Sequence, residues 1–375
     1  MRHAPWRRAA KSQLLALQDG DPTDVTSVSG ELAARSIGTS YGEESEAQGG
    51  YISDLMGHSL DGTGLSFASF SFGAYLSATA FWPSSMQRAA SKLQPAVVWL
   101  HPYSYNTGYT PSYRQSRIHL QLASAGFVVV AYDQVGFGIR NTQGGNRFYA
   151  RHGGNASLLG QMGKDTRAAV DWLLCRSTAC SSARCLDSQG GQPDIVPYVD
   201  PERIYLMGYS LGGNVALHAA ALDARVAGVG AIAAFTPFRT DAEGRPTGGL
   251  RWLYEMHALL PRLGLFAATP GQVPYDYDDL LREIAPRPTL LCTPKGDRDA
   301  TFTDVQACVD AASHAQLTQI SPGEITKMEE AETHVLVGWL NRVARVDGKL
   351  DGSGSSDVRP LGSAVGLRRA ARLDT

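Results

Sequence analysis

Short apolar runs separated by polar, glycine-rich connectors dominate the middle of the chain, and their period alternates between two residues and 3.6. The segment LSATAFW at 76–82 alternates apolar and polar positions as a half-buried strand does. AVVWL at 96–100 and GFVVVAYD at 126–133 are continuous apolar runs, the second rich in β-branched residues, and both predict buried strands. RAAVDWLLC at 167–175 has helical spacing. RIYLMG at 203–208 is strand-like and runs straight into LGGNVALHAAAL at 211–222, which is helical. An apolar run at 226–235, strand-like PTLLCT at 288–293, a helix near 303–312, strand-like AQLTQIS at 315–321 and helical HVLVGWLNRV at 334–343 continue the alternation. The pattern predicts an α/β fold with a mostly parallel central sheet and helices on both faces. Right-handed crossovers then gather the C-terminal ends of the parallel strands along one edge, where sites collect.

The flanks lack this pattern. Residues 1–64 are polar and rich in Gly, Ser and Glu, and predict a mostly flexible lead-in. Residues 346–375, with DGKLDGSGSSD, predict a disordered tail, which leaves 65–345 as the folded domain. Within it, residues 236–287 separate two strands and predict a small cap insertion. Trp252, Tyr254, Met256, Leu259, Leu260, Leu263, Leu265 and Phe266 fall there. They can cover an acyl chain or aromatic ester, or simply pack the cap onto the core.

Composition narrows the class. With 43% hydrophobic and 19% charged residues, the chain can bury a sizeable core. A formal net charge of −2 leaves no electrostatic footprint for nucleic acid or an anionic membrane. The longest apolar run, Val226 to Phe235, is too short to span a bilayer, so a soluble protein is expected. The start, MRHAPWRRAAKSQLLALQDG, lacks the apolar stretch of a secretory signal; its basic, acid-poor character leaves a transit peptide open beside a disordered tail, and the compartment undecided. Cys175, Cys180 and Cys185 cluster without a zinc-site spacing, and read as free or locally bridged structural cysteines. No metal or organic cofactor is implied, and oligomeric state is not legible.

The chemistry concentrates at Gly208-Tyr209-Ser210-Leu211-Gly212-Gly213. With 40 glycines in 375 residues, a G-x-S-x-G match is expected by chance on the order of 0.3 times, so context must decide. The same pattern at Gly38-Thr39-Ser40-Tyr41-Gly42 follows no strand and precedes no apolar-faced helix, and reads as a linker. Ser210 has both: a strand before it and a helix after it. A tight turn there lifts the hydroxyl clear of the backbone, and the helix N-terminus favours developing negative charge.

A serine hydroxyl is a weak nucleophile unaided and needs a base with an orienting acid. Downstream of PTLLCT, the loop PKGDRDAT offers Asp297, which can turn back toward the sheet edge, and Asp299, which can instead start the next helix; Asp297 is preferred. His334 lies between the last strand and the terminal helix and is the expected base. His218 and His257 are expected to be packing and cap residues. The tetrahedral oxyanion needs two donors. The Leu211 N–H follows the nucleophile, and Tyr103 is the better second candidate because Pro102 has no N–H. Candidate substrate contacts are Tyr105, Tyr109, Tyr209 and Trp252, the first two in a tyrosine-rich loop at 103–114.

On these residues the chain resembles the α/β-hydrolase fold, and within it the dienelactone-hydrolase and acetylxylan-esterase-like enzymes. AVVWLHPYS corresponds to the oxyanion strand and loop, YDQVGFG to the turn after the next strand, GYSLGG to the nucleophile turn, PTLLCTPKGDRDA to the acid loop and ETHVLVGWL to the histidine loop. The resemblance implies Ser210, Asp297 and His334 as a triad, with Tyr103 and Leu211 as oxyanion donors. His101-Pro102 stands where the family has His-Gly, Thr333 precedes the histidine where the family has Gly, and a serine replaces the cysteine of dienelactone hydrolases proper. The expected activity is carboxylic ester hydrolysis on a small molecule through an acyl-enzyme. A peptidase of the prolyl-oligopeptidase type, an acyltransferase, or a non-catalytic hydrolase-fold binding protein are the alternatives.

Overall fold

A computed structural model of the chain describes residues 63–345, apart from 74–75, 105, 110–117, 153–155, 178–194, 242–248 and 324–329. The predicted flexible ends, apart from residues 63–64, and Ser40 and Tyr105 lie outside the described residues.

Eight strands form one sheet: β1 (Leu65–Phe72), β2 (Leu76–Pro83), β3 (Gln94–Leu100), β4 (Val128–Tyr132), β5 (Val199–Tyr209), β6 (Gly228–Ile232), β7 (Thr289–Cys292) and β8 (Leu317–Ile320). Their order is β1-β2-β4-β3-β5-β6-β7-β8. β2 pairs antiparallel with β1 and β4, and every later pairing is parallel. The central strands are buried on both faces, as continuous apolar runs require. Their side chains alternate between two cores. Ala96, Val98 and Leu100 of β3 join the larger core, whereas Val97 and Trp99 join the smaller one.

The larger core is covered by α3 (Leu158–Leu174), α4 (Leu211–Leu222) and α5 (Tyr277–Ile284); the smaller by α1 (Ile118–Ser124) and the C-terminal helix α7 (Glu330–Ala344). α2 (Gly145–His152), α6 (Phe302–Ala312) and a single helical turn at Gly249–Arg251 are the remaining α-helical segments among the described residues. Each predicted strand is present, and α4 spans the predicted 211–222. Two helices are longer than their apolar periodicity indicated. α3 starts at Leu158, capped by the Ser157 hydroxyl, which accepts the Gly160 N–H at 3.0 Å. Gly160 and Gly163 in its first turns lower helix propensity and hide the start. α7 starts at Glu330, so His334 lies inside the helix rather than at its threshold.

The insertion after β6 is mostly short 3₁₀ and π turns. Its two ends are tied together by the buried Asp276 carboxylate, which accepts the N–H groups of Phe238 and Arg239 at 2.9 and 2.8 Å and caps α5 through Tyr277 N–H at 2.8 Å. Leu253, Leu259, Leu260 and Leu263 are buried in the larger core, so they pack the cap down, while Leu265 is 81% exposed. Of the clustered cysteines, Cys175 is disulfide-bonded, and Cys180 and Cys185 lie outside the described residues. Cys292 and Cys308 are free and buried. No described helix is long and apolar enough to cross a membrane.

Candidate active site

Ser210 stands at the C-terminal end of β5 with φ 52° and ψ −117°, a conformation that L-residues rarely adopt. Its strain is held on both sides: Ser210 N–H donates to Ile232 O at 2.8 Å, and Ser210 O accepts the Asn214 N–H of α4 at 3.0 Å. The flanking glycines are a packing requirement. A Cβ on Gly212 would overlap the Leu100 carbonyl, and one on Gly208 would overlap the Gly212 backbone. Strand, turn and helix therefore approach more closely than any side chain allows. The same approach brings Gly212, in the first turn of α4, against the Leu100 and His101 carbonyls at the end of β3, where the loop that carries Tyr103 begins. As the first residue of the helix, Leu211 has no intrahelical acceptor for its N–H.

The Tyr103 loop is fixed at both ends by the residues following β4. Gln134 N–H donates to His101 Nε2 at 3.0 Å, so the Nδ1 proton points to Pro102 O at 2.6 Å. Gln134 Nε2 also donates to His101 O at 2.7 Å. Burial pushes the His101 pKa down to about 4, keeping the ring neutral. With Nε2 occupied as an acceptor, His101 cannot serve as the base. At the other end, the Asp133 carboxylate accepts Tyr109 N–H at 2.9 Å and Ile139 N–H at 2.8 Å. It fills the space where Gly108 and Gly138, both at positive φ, have no side chain. Burial pushes Asp133 up, and the two N–H donors and Arg140 pull it back.

Asp297 lies past the end of β7, half-buried, in a recess lined also by Ala234, Phe235, Thr293 and Ala300. Its Oδ1 accepts Asp299 N–H at 2.9 Å, which fixes the loop. Burial pushes the Asp297 carboxyl above its ordinary range, against the Asp299 N–H; the Asp299 charge adds to the rise and Arg298 opposes it. Asp299 is exposed. Tyr209 is half-buried nearby, its phenol pushed up to about 12 by burial and by the charges of Asp297, Cys292 and Asp299. The start of the histidine loop runs beside this one: Lys295 N–H donates to Pro322 O at 2.9 Å, and Thr293 and Ser321 hydroxyls are 3.1 Å apart.

His334 is not assembled with these groups. It is exposed on α7, and among the described residues no hydrogen bond joins it to Asp297 or Ser210. The six residues before α7 lie outside the described residues. The candidate substrate contacts divide. Tyr109 is 5% exposed and its hydroxyl lies 2.8 Å from Thr79 Oγ1, which makes it a core residue here, on the strength of a loop that turns inward at Asp133. Trp252 lies in a π-helical turn of the cap. The His218 ring meets Asn214 O and Tyr275 Oη at 2.9 and 3.0 Å, the packing role expected of it. His257, expected to be a cap residue, reaches further than that. Its ring stacks on Tyr103 at 4.2 Å. Nothing in the local sequence signals this contact, because it depends on how the cap folds back. No group of three His, Cys, Asp or Glu side chains arranged for a metal ion occurs among the described residues.

Residues 65–243 match the family model described as acetyl xylan esterase (AXE1). This span contains the Tyr103 loop and the Ser210 turn and ends before Asp297. No curated protein matches the chain. Among solved structures, an acetyl xylan esterase from Paenibacillus sp. R4 is similar with TM-score 0.52 and 17% identity, over 74% of this chain and 84% of that one. A carbohydrate esterase family 15 glucuronoyl esterase from Caldicellulosiruptor kristjansonii is similar with TM-score 0.51 and 15% identity, over 76% and 80%. A further glucuronoyl esterase, from Teredinibacter turnerae T7901, aligns with TM-score 0.51 and 16% identity, over 74% and 73%. These likenesses show the fold, and it is the α/β-hydrolase fold.

Proposed function

We propose that this α/β-hydrolase-fold chain, a serine carboxylic ester hydrolase similar to the acetyl xylan esterases, removes a short acyl group from a hydroxyl of a small carbohydrate-like substrate by a Ser210–His334–Asp297 mechanism. Ser210 Oγ attacks the ester carbonyl while His334 takes its proton and Asp297 orients the imidazole. The oxyanion rests on the N–H groups of Leu211 and Tyr103. His334 then returns the proton to the departing alcohol, leaving the acyl group on Ser210. Water, deprotonated by the same histidine, attacks this acyl-enzyme and releases the carboxylic acid.

The observation that carries the reading is Ser210 itself, a strained residue between a buried strand and a helix N-terminus, held by backbone bonds and by glycines that nothing larger can replace. His334 is supported by the Ser–Asp–His chain order, by its position after β8, and by the structural duties of His101 and His218. Its step requires the ring to lie between Ser210 Oγ and the Asp297 carboxylate, which unwinding of α7 through His334 would provide. Asp297 is preferred over Asp299 because it is half-buried beside Tyr209, whereas Asp299 is exposed.

Hydrolysis of p-nitrophenyl esters from acetyl to decanoyl, with wild type and Ser210→Ala, tests this. Turnover greatest for acetyl and lost in the variant is expected. Undiminished turnover by Ser210→Ala would refute it.

A further inference from the structure

The contact between His257 and Tyr103 spans two parts of the fold far apart in sequence. Tyr103 belongs to the oxyanion loop leaving β3; His257 belongs to the cap. Their rings stack at 4.2 Å with 26° between planes. Tyr103 also meets Phe137 edge to face, at 6.0 Å and 64°, and Phe137 meets His101 at 5.6 Å and 74°. The Tyr103 ring is therefore gripped from both sides, by the cap and by the turn after β4.

His257 is held firmly enough to act as a clamp. The next residue, Ala258, has φ 49°, a left-handed conformation that a residue with a Cβ avoids unless its surroundings impose it. Ala258 O accepts the Tyr149 hydroxyl of α2, and Leu259 O accepts the Leu159 N–H of α3 at 3.1 Å. Leu260 N–H closes the turn on Leu253 O at 2.8 Å. The opposite rim is near as well: Asp299 lies close enough for its charge to act on His257, and Thr236 Oγ1 holds Asp299 O at 2.6 Å.

From this geometry we infer that His257 is a positioning residue for ester hydrolysis, acting through its stack on Tyr103 to hold the Tyr103 N–H where the oxyanion forms. It touches no reacting atom. An oxyanion donor acts only if it is aimed before charge develops, and a displacement well under a hydrogen-bond length weakens it. The imidazole serves here as a flat ring, so another flat ring should replace it. The inference rests on the Ser210 and Tyr103 reading above.

The test compares His257→Ala, His257→Phe, Tyr149→Phe and the double variant His257→Ala/Tyr149→Phe on p-nitrophenyl acetate, each checked for cooperative melting. His257→Ala is expected to lower kcat about tenfold with KM within about twofold, as partial loss of one oxyanion donor should. His257→Phe is expected to recover kcat to within about threefold of wild type. Tyr149→Phe, which frees the cap from α2, should lower kcat by the same route, and the double variant should be no slower than His257→Ala alone. An unchanged kcat in His257→Ala, a loss expressed in KM alone, or a His257→Phe variant as slow as His257→Ala would overturn the inference. Should His257→Ala fail to fold, His257→Phe and Tyr149→Phe still decide: a slow His257→Phe or an unaffected Tyr149→Phe counts against it. Ser210→Ala assayed alongside separates the outcomes, because activity surviving there discards the catalytic reading itself.

Discussion

The turn after β5 and the helix after β8 carry the two residues that the proposed chemistry needs most, and the structure treats them in opposite ways. Ser210 is fully specified by backbone: a strained φ, two main-chain hydrogen bonds, and three close approaches that demand glycine at 208, 212 and 213. His334 is specified by none of these. It is an exposed residue on a helix whose preceding six residues lie outside the described residues. A nucleophile that must meet developing charge is set by packing that exists before substrate arrives. The proposed base depends instead on where its helix begins.

The sharpest way to break this contrast is to remove the histidine. His334→Ala is expected to lower kcat about 10⁴-fold, roughly 5 kcal/mol of transition-state stabilisation, while leaving Tm within about 2 °C, since an exposed residue packs little. A loss of activity below tenfold would take the base away from His334. Next comes the acid: Asp297→Asn should lower kcat about 10²- to 10³-fold and Asp299→Asn less than tenfold, measured as kcat on p-nitrophenyl acetate. Equal small losses would remove Asp297 from its role.

On the other side of the comparison, Gly212→Ala probes backbone packing. Its Cβ would overlap Leu100 O, so a loss of about 3 kcal/mol in urea unfolding is expected, with activity falling as the turn shifts. The smallest effect concerns pH. His101 has a folded pKa of about 4, below the usual histidine value of 6.5. Between those values the unfolded chain binds a proton that the folded one refuses. Its contribution is fully present above about pH 6.5 and is lost as pH falls toward 4, up to about 3 kcal/mol. Tm should fall across that window, and His101→Asn should lower Tm at pH 7 and flatten the dependence. An equally steep fall in the variant would assign the effect elsewhere.

Much of the fold was legible because buried parallel strands announce themselves as apolar runs: β4, β6 and β7 lie within the predicted segments. α4 matched to the residue because its apolar pattern is broken only by Asn214, His218 and the glycines that the turn itself explains. β1 is hard to read from sequence because the adjacent apolar pair Phe67-Ala68 breaks its alternation. α3 was read short because Gly160 and Gly163 dilute its first turns. At the site, strand–Ser–helix was legible because it is local in sequence. Whether Tyr109 faced the cleft or the core was not, since the answer lies in Asp133, twenty-four residues on. The His257 stack was equally hidden, because it depends on Tyr149 and Leu159 holding a cap that has little regular structure of its own.

The central claim is that Ser210, set by its packing before substrate binds, is the nucleophile. Reaction of the full chain with a fluorophosphonate, followed by mass measurement of the intact protein and of its peptides, tests this most directly. The account predicts one adduct per chain, on the peptide containing Ser210, absent in Ser210→Ala and formed much more slowly in His334→Ala. An adduct on another serine, or equal labelling of Ser210→Ala, would contradict it.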